Sequence, residues 1–146
     1  MTTADTVAFL GGTEVFGRSI VSPLDLAAEV VRGFPSASLD RVLQRLQSEA
    51  IPQSSIYAVV GTSRTLQRKR QQRALLSRDE SDRLARLARV AVRAGEALGS
   101  IEKGHRWLGK TNRALDGQRP LDLLASDAGT RLVEDELGRI EHGVFA

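Results

Sequence analysis

Residues 52–98 read PQSSIYAVVGTSRTLQRKRQQRALLSRDESDRLARLARVAVRAGEAL. The second half of this stretch predicts a long helix. Ser77-x-x-Glu80 is a capping box, in which each side chain satisfies a backbone donor at the helix start. Behind it Leu84, Leu87, Ala91, Ala94 and Leu98 recur at helical spacing, and Arg83, Arg86, Arg89 and Arg93 cluster on the neighbouring flank. Gly99 ends the helix. The first half predicts two shorter helices, Pro52–Val60 and about Ser63–Arg73, joined at Gly61–Thr62.

Two short helices with a tight turn, the second one basic, are what a helix-turn-helix requires. Ile56, Val59 and Val60 pack inward in the first and Leu66 anchors the second. The exposed positions are then Arg64, Thr65, Gln67, Arg68 and Arg70. Arginine pairs with guanine through two hydrogen bonds, glutamine with adenine, and Ser63 or Thr65 suits a phosphate. Residues 62–73 carry five basic side chains and no acidic one, so Ser63, Arg64, Thr65, Gln67, Arg68 and Arg70 are the expected DNA contacts. The turn departs from the common spacing: Gly61 stands five residues before Leu66, and Val60 takes the place usually held by glycine.

Working outward, Ser22–Pro23 starts a helix that stops near Gly33. Another begins near Ser36 or Ser38 and carries Leu39, Val42, Leu43 and Leu46. Residues 1–20, with weak periodicity and several glycines, read as an irregular or frayed arm. On the other side, a short helix holds Ile101, Trp107 and Leu108. Asp116–Gly117 makes a turn, Pro120 opens a helical turn, and Ser126 caps a last helix that ends by Gly143. Aromatic residues make up only 4% of the 146-residue chain, so aliphatic side chains must fill the core. Seven or so helices and no convincing strand predict an all-α fold.

The net charge of +3 conceals an uneven distribution. Residues 1–51 carry a net −2, residues 52–120 a net +9, and residues 121–146 a net −4. A basic middle points to nucleic acid, with a solvated basic helix face as the alternative. Without cysteine, disulfides, thiolate metal sites and a cysteine nucleophile are excluded. No stretch approaches the ~20 apolar residues of a membrane span. The opening MTTADTVAFLGG carries Asp5 and no basic residue, the wrong charge for a signal peptide. The protein is therefore expected to be cytoplasmic, with no membrane partner.

Three features imitate other chemistries. Gly12 to Ser19, GTEVFGRS, resembles a phosphate-binding loop but lacks the preceding strand that such a loop needs. His105 and His142 lack the paired spacing of a metal site. Glu134, Asp135 and Glu136 read as a solvated helix face, with Asp135 placed to pair with Arg139 at i, i+4. No nucleophile motif is present, and neither an enzyme, a cofactor nor a metal is expected.

The C-terminal half carries a longer pattern. Trp107–Leu108 is followed by Asn112, Ala114, Leu115, Gly117, Pro120, Leu121, Asp122, Leu123 and Leu124, then by Leu137 through Ile140 with Gly143. From about residue 51 onward the chain resembles the Xre/MbcA/ParS family of antitoxins. The resemblance implies an Xre-like helix-turn-helix region followed by a small helical toxin-binding region, here residues 21–75 and 76–146 after the arm at 1–20. It implies a homodimer that binds a RES-domain toxin, blocks that enzyme's NAD-consuming cleft, and represses its own operon at operator DNA. Ile140, Val144 and Phe145 are apolar residues at a chain end, beside Arg139 and Glu141, and such a tail suits insertion into a partner's groove. The expected toxin contacts are Asn112, Arg113 and Leu115 in the loop, with Arg139, Ile140, Glu141, His142, Val144 and Phe145 in the tail. Two alternatives remain at this point. One is a stand-alone helix-turn-helix transcription regulator whose C-terminal half only dimerises, and the other is a protein-interaction module that has lost DNA binding.

Overall fold

The computed structural model describes residues 2–143. Among them are ten α-helices, one 3-10 helix and no strand. The helices are α1 (Thr3–Phe9), α2 (Gly12–Phe16), α3 (Pro23–Arg32), α4 (Ala37–Leu46), α5 (Gln53–Val60), α6 (Ser63–Gln72), α7 (Arg78–Leu98), α8 (Ile101–Leu108), α9 (Pro120–Leu123) and α10 (Asp127–Glu141), with the 3-10 helix at Arg113–Leu115.

Helix α7 is the axis of the molecule. Its 21 residues span about 31 Å, and α1, α3, α5, α8 and α10 all pack on it. Leu84, Leu87, Ala88, Val90, Ala91 and Ala94 are buried. The predicted capping box is present: Ser77 Oγ accepts from Glu80 N at 3.1 Å and Glu80 Oε1 accepts from Ser77 N at 2.7 Å. Helix α8 folds back along α7 so closely that Gly104 has no room for a side chain. A Cβ there would lie 2.5 Å from the backbone N of Gly95.

Residues 2–20 form helices and turns packed on the core, not a frayed arm. Thr2 and Asp5 form a capping box at the start of α1. Val7, Phe9, Leu10, Phe16 and Ile20 are buried, and Phe16 meets Phe34 edge to face at 5.2 Å. Helices this short have no stability alone, and it is packing that selects them. The glycines that suggested irregularity serve as corners: Gly11, Gly12 and Gly17 all have positive φ, a region that costs glycine nothing. The phosphate-loop look-alike is simply α2 and the bend after it.

Helix α3 begins as expected on a Ser22 cap followed by Pro23, and Asp25 completes a capping box there. The chain leaving it is pinned to α7, with Phe34 N donating to Ser81 Oγ at 2.8 Å and Leu76 N donating to Phe34 O at 2.8 Å.

Candidate functional site

Helices α5 and α6 form the helix-turn-helix. Ile56, Tyr57, Val59, Val60 and Leu66 are buried, which seats both helices against the core. The turn is extended backbone: Gly61 has φ 175°, a conformation open to any residue. Because no left-handed residue is required, the Val60–Gly61 departure in spacing is harmless. Gly61 N closes α5 on Tyr57 O at 2.8 Å, and Leu66 N starts α6 on Thr62 O at 3.0 Å.

The basic residues of α6 divide into two sets. Ser63, Arg64, Gln67 and Arg68 are exposed, and Thr65 is half-buried. Gln67 Nε2 donates to Ser63 Oγ at 3.0 Å, one helical turn apart. Arg64, Arg68 and Arg73 form no ion pair among the described residues. Lys69 and Arg70 turn inward instead. Lys69 Nζ donates to Glu80 Oε1 at 2.6 Å. Arg70, expected on the exposed face, bonds to Asp40 of α4 and donates to Tyr57 Oη at 2.5 Å. Burial opposes the charge on Arg70, but its bonds to Asp40 and Tyr57 outweigh that and raise its pKa. Arg70 therefore straps α6 to α4 and α5, whereas the sequence predicts it on the fully exposed face.

A polar cleft beside α6 is lined by Asp40, Gln53, Tyr57, Gln67, Arg70, Gln71 and Arg73. Gln53, Gln71 and Arg73 were not singled out by sequence reasoning. Arg73 looks like a helix end, and it does close α6 in the left-handed region at φ 52°, yet it leaves at the cleft's edge a cation with no ion-pair partner among the described residues.

The second region runs from the loop after α8 to α10. Asn112 Oδ1 caps the 3-10 helix by accepting from Ala114 N at 2.9 Å, and Asn112 N donates to Gln118 O at 3.0 Å. Asp116 and Gly117 both have positive φ, as the Asp–Gly turn demands. The loop's tip presents Arg113 to solvent. Leu115, expected to meet a partner, is buried beneath it because the loop needs an apolar anchor to hold its shape. Arg119 then ties this loop to the helix-turn-helix: its guanidinium binds both carboxylate oxygens of Asp122 at 2.8 and 2.9 Å and donates to Ser55 Oγ of α5 at 3.0 Å. The Arg119–Ser55 tie has no local sequence signal, since Ser55 lies 64 residues away.

Along α10 the acidic run meets the arginine flank of α7. Arg89 reaches Glu134 at 3.1 Å, and Arg93 reaches Glu134 at 3.7 Å and Glu141 at 2.9 Å. Part of the charge asymmetry seen in the sequence is thus answered within the chain. Arg139 pairs with Glu136 at 2.6 Å rather than with Asp135, which corrects that pairing. Ile140 is half-buried and packed on the core, so it belongs to the helix and not to a projecting tail. His142 is exposed. Val144 and Phe145 lie outside the described residues. His105 packs edge to face on Phe9 at 6.2 Å. Burial lowers its pKa against the smaller opposing effect of Glu102. No helix among the described residues is long and apolar enough to cross a membrane.

Comparison with known proteins matches two domains along the chain. Residues 25–89 match the antitoxin Xre-like helix-turn-helix domain, and residues 93–143 match the antitoxin Xre/MbcA/ParS C-terminal toxin-binding domain. The two matches meet inside α7. Antitoxin Xre of Pseudomonas putida is 28% identical over 124 residues, covering 85% of this chain and 76% of the relative. Antitoxin Xre of Yersinia enterocolitica is 34% identical over 99 residues, covering 66% of this chain and 67% of the relative. Antitoxin Xre of Photorhabdus laumondii is 35% identical over 69 residues, covering 47% of each chain. With an Xre-like helix-turn-helix and a toxin-binding region built around one shared helix, the chain belongs to the Xre/MbcA/ParS family of antitoxins.

Proposed function

We propose that this protein is the antitoxin of a type II toxin–antitoxin module whose partner is a RES-domain, NAD-consuming toxin. The C-terminal region inhibits that toxin by stoichiometric binding, with no catalysis of its own. The helix-turn-helix binds operator DNA as a homodimer and represses the operon in the cytoplasm. The observation that carries this reading is the sequence match of residues 93–143 to a toxin-binding domain. Its solvent face offers Arg113 in the capped loop and Arg139, Glu141 and His142 at the end of α10. Asn112 contributes by holding the loop that displays Arg113. On the DNA side, Ser63, Arg64, Thr65, Gln67 and Arg68 lie at the start of α6, where backbone N–H groups favour a phosphate and arginine and glutamine suit base edges.

The direct test is co-expression with the neighbouring RES-like gene, followed by size-exclusion chromatography and an NAD assay. A stable complex with NAD preserved is expected. Failure to form a complex, with NAD still depleted, would overturn the assignment of the partner.

A further inference from the structure

Helix α3 is apolar on both sides. Leu26 and Val30 pack against the core, while the opposite side leaves Leu24 at 79% and Val31 at 61% exposure, with Val21 at 68% before the helix. Ala27 and Ala28, between Leu24 and Val31, are exposed too. Leu75, 55% exposed, extends the patch at the far end of α3, where its Cβ would lie 3.6 Å from a Cβ on Gly33. A continuous exposed apolar stripe of this kind marks an interaction surface.

The order of residues on the stripe is self-complementary. Leu24-x-x-Ala27-Ala28-x-x-Val31 reads the same in apolar character and similarly in size from either end, with the two smallest residues at its centre. We propose that α3 is the surface through which two copies of this chain associate, antiparallel across a two-fold axis beside Ala27 and Ala28. This rests on the homodimer named in the proposed function and assigns its interface. The alanines let the two helices approach closely, and Leu24 of each copy stands opposite Val31 of the other. Beside Val31 lies a groove lined by Ala27, Val30, Val31, Arg78, Asp79 and Asp82, so the protruding Leu24 of one copy has a recess to enter on the second. The charges agree with the same register. Asp25 and Arg32 lie on one flank at opposite ends of α3, and the two-fold places Asp25 of each copy near Arg32 of the other, whose Nη1 already donates to Glu29 Oε1 of its own chain at 2.7 Å. Asp25 uses Oδ2 for its cap bonds to Val21 N and Ser22 N, which leaves Oδ1 for that pair. An isologous contact of this kind closes on itself and gives a dimer only.

The full-length chain is measured by sedimentation equilibrium beside Leu24→Glu and Ala28→Cys. Because the chain has no cysteine of its own, Ala28→Cys under mild oxidant reports only the introduced thiol, and Ala128→Cys on α10 is the control. The expected result is a wild-type mass of twice 15.9 kDa and a Leu24→Glu protein with unchanged helical circular dichroism. Its dimer should dissociate about a hundredfold more readily, about tenfold for each of the two copies of Leu24. Ala28→Cys should cross-link and Ala128→Cys should not. If Leu24→Glu fails to fold, the cross-link decides alone. A wild-type monomer at tens of micromolar would overturn the homodimer reading together with this interface. A wild-type dimer that Leu24→Glu leaves intact, with no Ala28→Cys cross-link, would overturn the interface alone. A Leu24→Glu protein that stays dimeric but no longer binds the toxin would give α3 to the toxin and overturn the proposal.

Discussion

Lys69 and Glu80 join α6 to the central helix α7: Lys69 Nζ and Ser77 N both donate to Glu80 Oε1, at 2.6 and 2.7 Å. One carboxylate oxygen thus caps α7 and holds α6 against it, in a site where Glu80 is 8% exposed. Glu80→Gln keeps an acceptor for Ser77 but leaves Lys69 without its counter-charge. The expected loss is about 1–3 kcal/mol of stability, read by denaturant unfolding. A wild-type midpoint would show that the bridge contributes nothing.

The same residue sets an acid limit on stability. Burial pushes the pKa of Glu80 up, but the bonds from Lys69 and Ser77 outweigh it and hold the pKa below the ordinary 4.5. A carboxylate with a depressed folded pKa stabilises the protein above its unfolded pKa, and this is lost as pH falls through the folded value. Stability should therefore decline below about pH 4.5, and Glu80→Gln should flatten that decline. Parallel pH profiles for the two proteins would contradict this.

Arg68 and Arg70 stand two residues apart and should fail in different ways. Arg68→Ala should leave the thermal midpoint unchanged, weaken binding to the DNA upstream of the gene, and reduce the salt slope by about 0.9 if the contact is to phosphate. Arg70→Ala removes the strap to Asp40 and Tyr57, so it should lower the midpoint. Equal midpoints with equal DNA affinities would refute the division of α6 into an outward and an inward set.

Arg93 controls the end of α10. Arg93→Met removes the pairs to Glu134 and Glu141 and should cost under about 1 kcal/mol globally, because both partners are partly solvated. The local effect should be larger, with faster amide exchange at residues 138–141 and weaker toxin inhibition, while DNA binding holds. Unchanged exchange at those amides would show that apolar packing alone fixes the helix end.

Gly104 should tolerate no side chain. Gly104→Ala drives a Cβ to 2.5 Å from Gly95 N and 2.7 Å from Ala94 C, and backbone atoms cannot step aside. About 3 kcal/mol of destabilisation is expected, a fall of about 6–12 °C in the thermal midpoint for a chain of this size.

Local signals by themselves determined most of the helical framework. Ser22, Ser77 and Ser126 each cap the helix that their sequence promised. Their bonds to Asp25, Glu80 and Gly129 reach only three residues ahead, so they are written within a single turn. The helix-turn-helix was legible for the same reason, since Ile56, Val60 and Leu66 follow the helical period across one short turn. Tertiary structure alone decided which charged residues remain available to a partner. Arg70 finds Asp40 across 30 residues, Arg93 finds Glu141 across 48, and Arg119 finds Ser55 across 64. It also decided that α1 and α2 form at all, because their few apolar residues stabilise a helix only when α4, α7 and Phe34 are there to cover them. Helix propensity and capping act over one turn and can be read along the chain. Burial and ion pairing depend on which distant segment arrives, and that was settled only when the other helices had packed around α7.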